Sequence, residues 1–507
     1  MGGKVWLVGA GPGDPGLFTL RGKEVLQQAD VVVCDALVGP GVLSMIPETT
    51  RVINAGKRSG NHTIPQEEIN RILLEEAQKG KRVVRLKGGD PFLFGRGGEE
   101  LELLRQHAVP FEIVPGITSV FAVPAYNGIP VTHRDFCSGV HIITGHMRDG
   151  NACDIDFDTL VRCQGTLIFV MGVGALPDIC AGLLKAGMSP DMPAAVLEKG
   201  TTARQRRIAA TVGTLTEVCE RSAIRAPAVI IIGQVCSLAE EFSWYEKLPL
   251  AGVKVLVTRP RELISGLSSM LRLKGAEVLE FPAIATVPVD NREPLTAAIR
   301  ELEKGSFDWL VFTSPSGVRI FYRQLMDICD LRALAETKIA AIGKGTEKEL
   351  RQYGLRADFV PSVYDGKTLG AELAERCSDG ERILIPRAAV GNRELTEELK
   401  KGKNLVITDL PTYHTVYQSP RVWNELGILQ REDVDFAVFT SASTVKGFAE
   451  SARGIDLAKI RAVCIGKQTQ KAASDFGMPT WVASSATLES LVDCVQQAAE
   501  ELGLGMR

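Results

Sequence analysis

Aromatic residues make up only 6% of the 507-residue chain, and histidines number six. So few rings argue against the stacking platforms of single-strand nucleic-acid binders. Neither sign of charge dominates: 58 Lys+Arg stand against 61 Asp+Glu, a formal net charge of −3. The chain therefore lacks the field that a general nucleic-acid or acidic-membrane binder needs, and any anionic ligand must be held by local clusters of cations. The eleven cysteines are odd in number with no CxxC pair, and no HExxH or His/Cys cluster accompanies them. Reduced thiols and no metal site are expected. No apolar run is long enough to span a bilayer, and the first, Val5–Val8, stops at Gly9, too short for the core of a signal peptide. These absences point to a cytoplasmic protein that binds neither nucleic acid nor membrane.

What is present is an ordinary globular composition, 45% hydrophobic and 23% charged, with 50 glycines and 25 prolines in no strict period. At roughly 150 residues per domain the length suggests about three domains, or four. Short apolar runs end in Gly or Pro and are followed by amphipathic stretches. They include Val5–Val8, Val31–Val33, Val83–Leu86, Leu167–Val170, Val229–Ile232, Val255–Val257, Leu310–Phe312, Ile339–Ile342, Ile383–Ile385 and Phe436–Phe439. That alternation predicts an α/β protein with largely parallel sheets. The clearest break is Glu240–Gly252, where Trp244-Tyr245 ends one unit and Pro249-Leu250-Ala251-Gly252 precedes a fresh strand.

Behind the break lies an internal repeat that the front half lacks. Lys254–Arg259 recurs as Arg382–Arg387, Asp308–Ser314 as Asp435–Ser441, and Ala341–Thr346 as Cys464–Thr469. The offsets are 128 for Arg259/Arg387, 127 for Thr313/Thr440 and 123 for Gly343/Gly466, so order and spacing are kept. A duplicated α/β unit is expected, with a ligand in the cleft between two similar lobes.

In the front half, Val5–Pro15 (VWLVGAGPGDP) looks like a dinucleotide fingerprint but fails it: Asp14 stands where the third glycine belongs, and Pro12 restricts the turn. A second Gly-rich turn follows a strand at Val83–Glu100. Each is a structural turn on its own. Together, with an acidic residue at each tip, they suggest a nucleoside-type ligand against exposed backbone.

Those two segments, with Gly56–Asn70, Val114–Ser119, Gly128–Asp135, Thr144–His146, Val170–Gly172, Glu198–Thr201 and Pro227–Val229, closely resemble uroporphyrinogen-III C-methyltransferase over roughly residues 4–244. The resemblance implies a two-lobed tetrapyrrole methyltransferase fold, not a Rossmann one, occupying residues 1–245. It implies an S-adenosylmethionine (SAM) enzyme that methylates uroporphyrinogen III twice to precorrin-2, towards siroheme or cobalamin. Carried over by motif, cofactor contacts are Pro12, Gly88, Gly89, Asp90, Leu93, Thr118, Ser119, Met171, Gly200 and Ala228. Asp35 and Lys57 match positions for a proton acceptor and a proton donor. Without the family, Asp35 reads equally well as a helix cap. Eight substrate carboxylates call for cations; Arg58, His62, Arg96, His133 and Arg134 are the main candidates, with Arg21, His146, Arg148 and Arg204 as further ones.

From Gly252 onward no triad, metal cluster or phosphate loop appears, and pattern alone gives a two-lobed ligand binder. Val255–Pro260, Asp308–Ser314, the Gly343/Thr346 and Gly466/Thr469 turns and Pro411-Thr412-Tyr413 resemble uroporphyrinogen-III synthase, a bilobal flavodoxin-like fold. The resemblance implies closure of hydroxymethylbilane with inversion of the last ring, and lobes of about 252–284 plus 414–507 and of 285–413. Loss of water gives an azafulvene cation that the pyrroles attack themselves, so the enzyme need only fold the chain and assist departure. Tyr413 is the candidate proton donor. Thr313, Ser314, Thr346, Thr440, Ser441 and Thr469 are candidate contacts, each equally readable as a helix N-cap, with Arg259, Arg387, Lys344 and Lys467 as cations. Partners are then small tetrapyrroles, with a homodimer through the front half. An alternative is a methyltransferase for another corrin intermediate joined to a noncatalytic tetrapyrrole-binding half.

Overall fold

The computed structural model describes residues 2–56, 64–145, 155–259, 261–391, 393–401, 403–418, 420–431, 433–452 and 454–505. Lys57, Arg58, His62, His146 and Arg148 lie outside the described residues. Among the described residues, four five-stranded sheets organise the chain, two before the break and two after it.

The first sheet runs Arg51–Asn54, Val31–Cys34, Arg82–Lys87, Lys4–Gly9, Phe111–Val114, every neighbouring pair parallel. Both of its faces are covered, which is why Val31–Cys34 is apolar and buried throughout. Val5, Leu7, Val31, Val33 and Val83 pack on helices Gln66–Gln78 and Gly97–Gln106 through Ile69, Leu73 and Leu104. The opposite face, with Val8, Val32 and Val84, lies in one buried cluster with residues of the rear half.

The second sheet runs Val140–Thr144, Thr166–Val170, Ala228–Ile232, Pro193–Glu198, Arg206–Thr211, and only its first pair is parallel. The expectation of largely parallel sheets fails here for a simple reason. Pro193–Glu198 and Arg206–Thr211 are joined by residues 199–205, too few for the crossover that parallel neighbours require.

The rear sheets share one plan. The third runs Glu277–Glu280, Lys254–Val257, Phe436–Phe439, Ala462–Cys464, Thr480–Val482, all parallel. The fourth runs Ile284–Pro288, Val406–Tyr417, Arg382–Ala388, Trp309–Phe312, Lys338–Ala341, with only Ile284–Pro288 antiparallel. Residues equated by the sequence repeat hold equal places: Val255 pairs with Phe436 as Ile383 pairs with Trp309, and Ala437 pairs with Ala462 as Leu310 pairs with Ile339. Asp435 and Asp308 each accept the N–H of the neighbouring strand's first residue, Lys254 and Arg382, at 2.7 Å. The chain enters the fourth sheet along Ile284–Pro288 and leaves along Val406–Tyr417, so this second unit is inserted within the first.

The halves meet through apolar packing. Val42, Leu43 and Ile46 share a buried cluster with Leu279, Phe281, Trp423 and Leu426, and the Phe281 and Trp423 rings meet edge to face at 5.1 Å.

Glu112, on the outermost strand of the first sheet, accepts from Lys4 Nζ at 2.8 Å and Trp6 Nε1 at 3.0 Å and pairs with Arg21 at 2.8 Å. Lys4, and then Arg21, hold its carboxyl down at about 2 from an ordinary 4.5. The folded value lies below the unfolded one, so the stabilisation is present above the unfolded value and is lost as pH falls towards the folded one. Urea midpoints measured from roughly pH 5 to 3 should fall less steeply for Glu112→Gln than for the parent chain.

Candidate functional sites

In the front half the strand ends of two sheets are brought face to face. Gly11 and Gly89 form a short antiparallel bridge beyond their strands, with Gly89 N–H donating to Gly11 O at 2.8 Å. A Cβ on Gly116 would stand 2.2 Å from Gly89 O, and one on Gly9 would stand 2.5 Å from Gly116 Cα. Three loops therefore converge as bare backbone, which side chains would block. Asp90 organises them: one carboxylate oxygen accepts from Phe92 and Leu93 N–H, and the other accepts from Gly116 N–H at 2.9 Å. Pro12, Gly88, Gly89, Asp90, Leu93, Thr118 and Ser119 all lie on these three loops.

Met171, Gly200 and Ala228 lie together at the facing end of the second sheet, where Val170 pairs with Val229 and Glu198 with Ala228. The two ends touch at Gly13, where an added Cβ would meet Thr201 Oγ1 at 2.9 Å, and Asp14 N–H donates to the same oxygen at 3.3 Å. Backbone strain gathers here. Phe94, Arg96, Met171, Lys199 and Thr201 have positive φ, without the cost-free freedom of glycine. Ala108, Gln164 and Ala223, also positive, instead follow helix ends, where a left-handed residue closes the last turn. This cleft of converging backbone and small residues fits an adenosine-type ligand held by close backbone approach.

Asp35, one residue past strand Val31–Cys34, receives Arg85 NH2 at 2.5 Å. Arg85 is 2% exposed and also donates to Glu100 at 3.0 Å. Glu100, fully buried, accepts on the same oxygen from Lys87 Nζ at 2.8 Å and Gln66 Nε2 at 3.1 Å. Burial works against the charge on Arg85, but Asp35 and Glu100 hold the guanidinium above its ordinary value. Burial, and then Arg85, push the Lys87 ammonium down. Two cations and two carboxylates thus form a line from the interior to the strand end, and Asp35 is its only member that is not buried. Arg85, Lys87 and Glu100 were not legible as site residues; a charge at every second position inside an apolar strand, Arg85 and Lys87, is the signal that could have found them.

Several expected substrate contacts are engaged elsewhere. Arg96 is paired with Glu99, Arg21 with Glu112 and Glu24, and Arg204 with Asp435 in the rear half. His133 Nδ1 accepts Asp135 N–H at 3.2 Å, and Arg134 is exposed.

In the rear half, Tyr413 is 6% exposed and its hydroxyl lies 2.7 Å from Ser314 Oγ. Ser314 also caps helix Pro315–Ile328, accepting Gly317 N–H at 3.0 Å, so the cap reading holds and the same oxygen meets Tyr413. Burial raises the Tyr413 hydroxyl above its ordinary value against opposing effects of Ser314 and Arg319, so it stays protonated at neutral pH. Arg319, not foreseen, pairs with Glu349 at 3.3 Å. Across the lobe boundary, burial and then Arg319 push Arg259 down to about 10, and its buried Nε has no partner among the described residues. A protonated tyrosine near Arg319, itself a neighbour of Arg259, suits a polycarboxylate with a leaving hydroxyl.

Other expected contacts do not join this cluster. Thr346 and Thr469 are 2% and 4% exposed, buried in the first turns of helices Lys344–Gln352 and Lys467–Asp475. Ser441 is held in a capping box with Thr444. Arg387 is bound by both oxygens of Asp409, which answers its charge. Thr313 and Thr440 are half-buried at corresponding strand ends.

The family model for tetrapyrrole (corrin/porphyrin) methylases matches residues 4–216, and that for uroporphyrinogen-III synthase HemD matches residues 265–493. The chain is 46% identical over 492 residues to the porphyrin biosynthesis protein HemD of Ruminiclostridium josui, covering 97% of each. It is 47% identical over 245 residues to the siroheme synthase of Pseudomonas putida (strain W619), covering 48% of this chain and 53% of the relative, about half that protein's length. Among solved structures, uroporphyrin-III C-methyl transferase from Thermus thermophilus complexed with S-adenyl homocysteine is 40% identical with a TM-score of 0.41, over 46% of this chain and 100% of the other.

Removing Glu100 leaves Arg85 and Lys87 buried with Asp35 alone as counter-charge. Glu100→Ala should cost about 3–5 kcal/mol in chemical denaturation. Breaking the exposed Arg71–Glu68 pair with Arg71→Ala should leave the denaturation midpoint essentially unchanged, because solvent already screens it.

Proposed function

The chain belongs to the HemD family of porphyrin biosynthesis proteins, a tetrapyrrole methylase half joined to a uroporphyrinogen-III synthase half, and from that premise we propose that it converts hydroxymethylbilane to precorrin-2. The rear half closes hydroxymethylbilane with inversion of the last ring, and the front half methylates the resulting uroporphyrinogen III at C2 and C7. The observation that carries this is the presence in one chain of two clefts with complementary chemistry. One is a bare-backbone cradle beside a fixed carboxylate, and the other is a protonated tyrosine near Arg319, which in turn neighbours Arg259.

In the rear cleft, Arg259 and Arg319 hold substrate carboxylates and so keep the open chain folded. Tyr413 donates a proton to the departing hydroxyl, and Ser314 fixes its orientation. The pyrrole rings then supply the nucleophile themselves, so the protein needs none.

In the front cleft, Pro12, Gly88, Gly89, Leu93, Thr118, Ser119, Met171, Gly200 and Ala228 line the place for SAM, and Asp90 keeps the loops in register. When bound, SAM supplies an electrophilic methyl group. The chain's contribution is to align the pyrrole carbon and exclude water. Asp35, oriented by Arg85, accepts the proton lost from the bridging carbon after attack. Lys57 donates a proton, and Arg58, His62, His133 and Arg134 meet substrate carboxylates. Two chains pair through the front half, which light scattering on the intact protein tests: the mass of a single chain would refute it. The destination of the product is siroheme or cobalamin.

The intact chain supplied with hydroxymethylbilane and labelled SAM should yield a doubly methylated type III product. A type I macrocycle alone would refute the synthase assignment, and the type III isomer without label would refute the methyltransferase one. Asp35→Ala should bind S-adenosylhomocysteine as the parent does while methyl transfer falls about 10²-fold or more. Tyr413→Phe should slow ring closure about 10²-fold and raise the share of type I product, measured by isomer separation.

A further inference from the structure

The turn at residues 199–205 connects three parts of the molecule. On its inner side, Thr201 is buried with positive φ and accepts Asp14 N–H, while Thr201 N–H donates to Gln205 Oε1 at 2.8 Å. Gln205 reaches Tyr126 O at 3.3 Å, and Tyr126 hydroxyl returns to Asp14 Oδ2 at 2.7 Å. This closed circuit keeps Gly200, on the second sheet's end, against Gly13, on the first sheet's end.

On its outer side the same turn is gripped by the rear half. Ala203 N–H donates to Glu277 Oε2 at 2.8 Å. Arg204 donates to both oxygens of Asp435 at 3.1 Å, to Gly252 O at 3.0 Å and to Asp433 O at 3.1 Å. Asp435 is the repeat counterpart of Asp308, and each closes the start of its own sheet; Asp435 in addition holds Arg204. A further contact runs through the connecting segment. Trp244 meets Tyr126 edge to face at 5.1 Å, Tyr245 meets it at a tilt at 5.2 Å, and Tyr245 hydroxyl donates to Gly275 O at 3.2 Å. On the other side of the cleft, Leu426 of the rear half lines a small cavity with Asp35 and Asn54.

We propose that the first rear lobe is part of the framework of the methyl-transfer site, with Arg204 and Glu277 as positioning residues for the Gly200–Thr201 turn. Glu277 lies on the third sheet, and Arg204 acts through the carboxylate that closes that sheet. Neither touches the ligand cleft; both fix the backbone that does. The front half by itself lacks Glu277 and Asp435, so the outer hold on this turn comes from the rear half. This inference rests on the reading of that cleft as the SAM site.

The test uses the intact chain with Arg204→Ala, Arg204→Lys and Glu277→Ala, each checked for folding by thermal melting. Titration calorimetry with S-adenosylhomocysteine should give a Kd about tenfold higher for Arg204→Ala and Glu277→Ala and a smaller rise for Arg204→Lys. KM for SAM should rise in parallel while kcat changes less than about twofold and ring closure in the rear cleft is unchanged. Folded Arg204→Ala and Glu277→Ala proteins with the parent Kd, whatever their melting temperature, would overturn the inference alone. A parent chain that does not bind S-adenosylhomocysteine would overturn the cofactor reading, and the inference with it.

Discussion

The apolar face that Val42, Leu43 and Ile46 share with Phe281, Trp423 and Leu426 makes one body of two enzymes. Burial of this kind is non-directional and scales with area, so by itself it sets only that the halves adhere. Orientation comes from the directional contacts arranged around it: Arg204 on Asp435, Ala203 on Glu277, and Arg421 N–H on Glu48 at 2.8 Å. The Arg204 and Ala203 contacts are partly withdrawn from solvent by the packing they orient, and this makes them worth more than they would be on an open surface.

The same balance governs the interior of each half. In the front half a line of four charges runs from Glu100 to Asp35, and its buried members compensate one another while the carboxylate at the end stays accessible. In the rear half compensation is left incomplete: Arg259 has a buried Nε with no partner among the described residues, and its neighbour Arg319 has the same sign. A network in which each buried charge faces an opposite one gives a rigid carboxylate, whereas a guanidinium beside a like charge gives a place for an anion. Both fit a chain that is nearly neutral overall yet is proposed to handle a polycarboxylate.

Much of the architecture was legible. Apolar runs bounded by glycine and proline marked strands on both sides of the break, and the repeat equated residues that occupy the same register in the third and fourth sheets. The Gly9, Gly89 and Gly116 loops were recognisable because backbone that must approach backbone leaves no room for Cβ. Less legible were side chains whose role depends on what lies opposite. Arg204 read as a substrate cation and is a clamp between halves; Thr346 and Thr469 read as ligand contacts and are buried in first turns. Arg319 looks in sequence like any solvated helix cation, and only the fold brings it to Tyr413 and Arg259.

The sequence by itself determined the two halves, the duplication in the second and the glycine turns of the first, because each depends on local pattern: periodicity, turn geometry and motif order. Tertiary structure decided which charges are answered and which remain open to ligand, because that depends on distance and burial across elements far apart in the chain. It also decided that the break at residues 240–252 is not a loose tether. Trp244 and Tyr245 look there like the end of a domain, but they pack on Tyr126, and Tyr245 hydrogen-bonds across to Gly275.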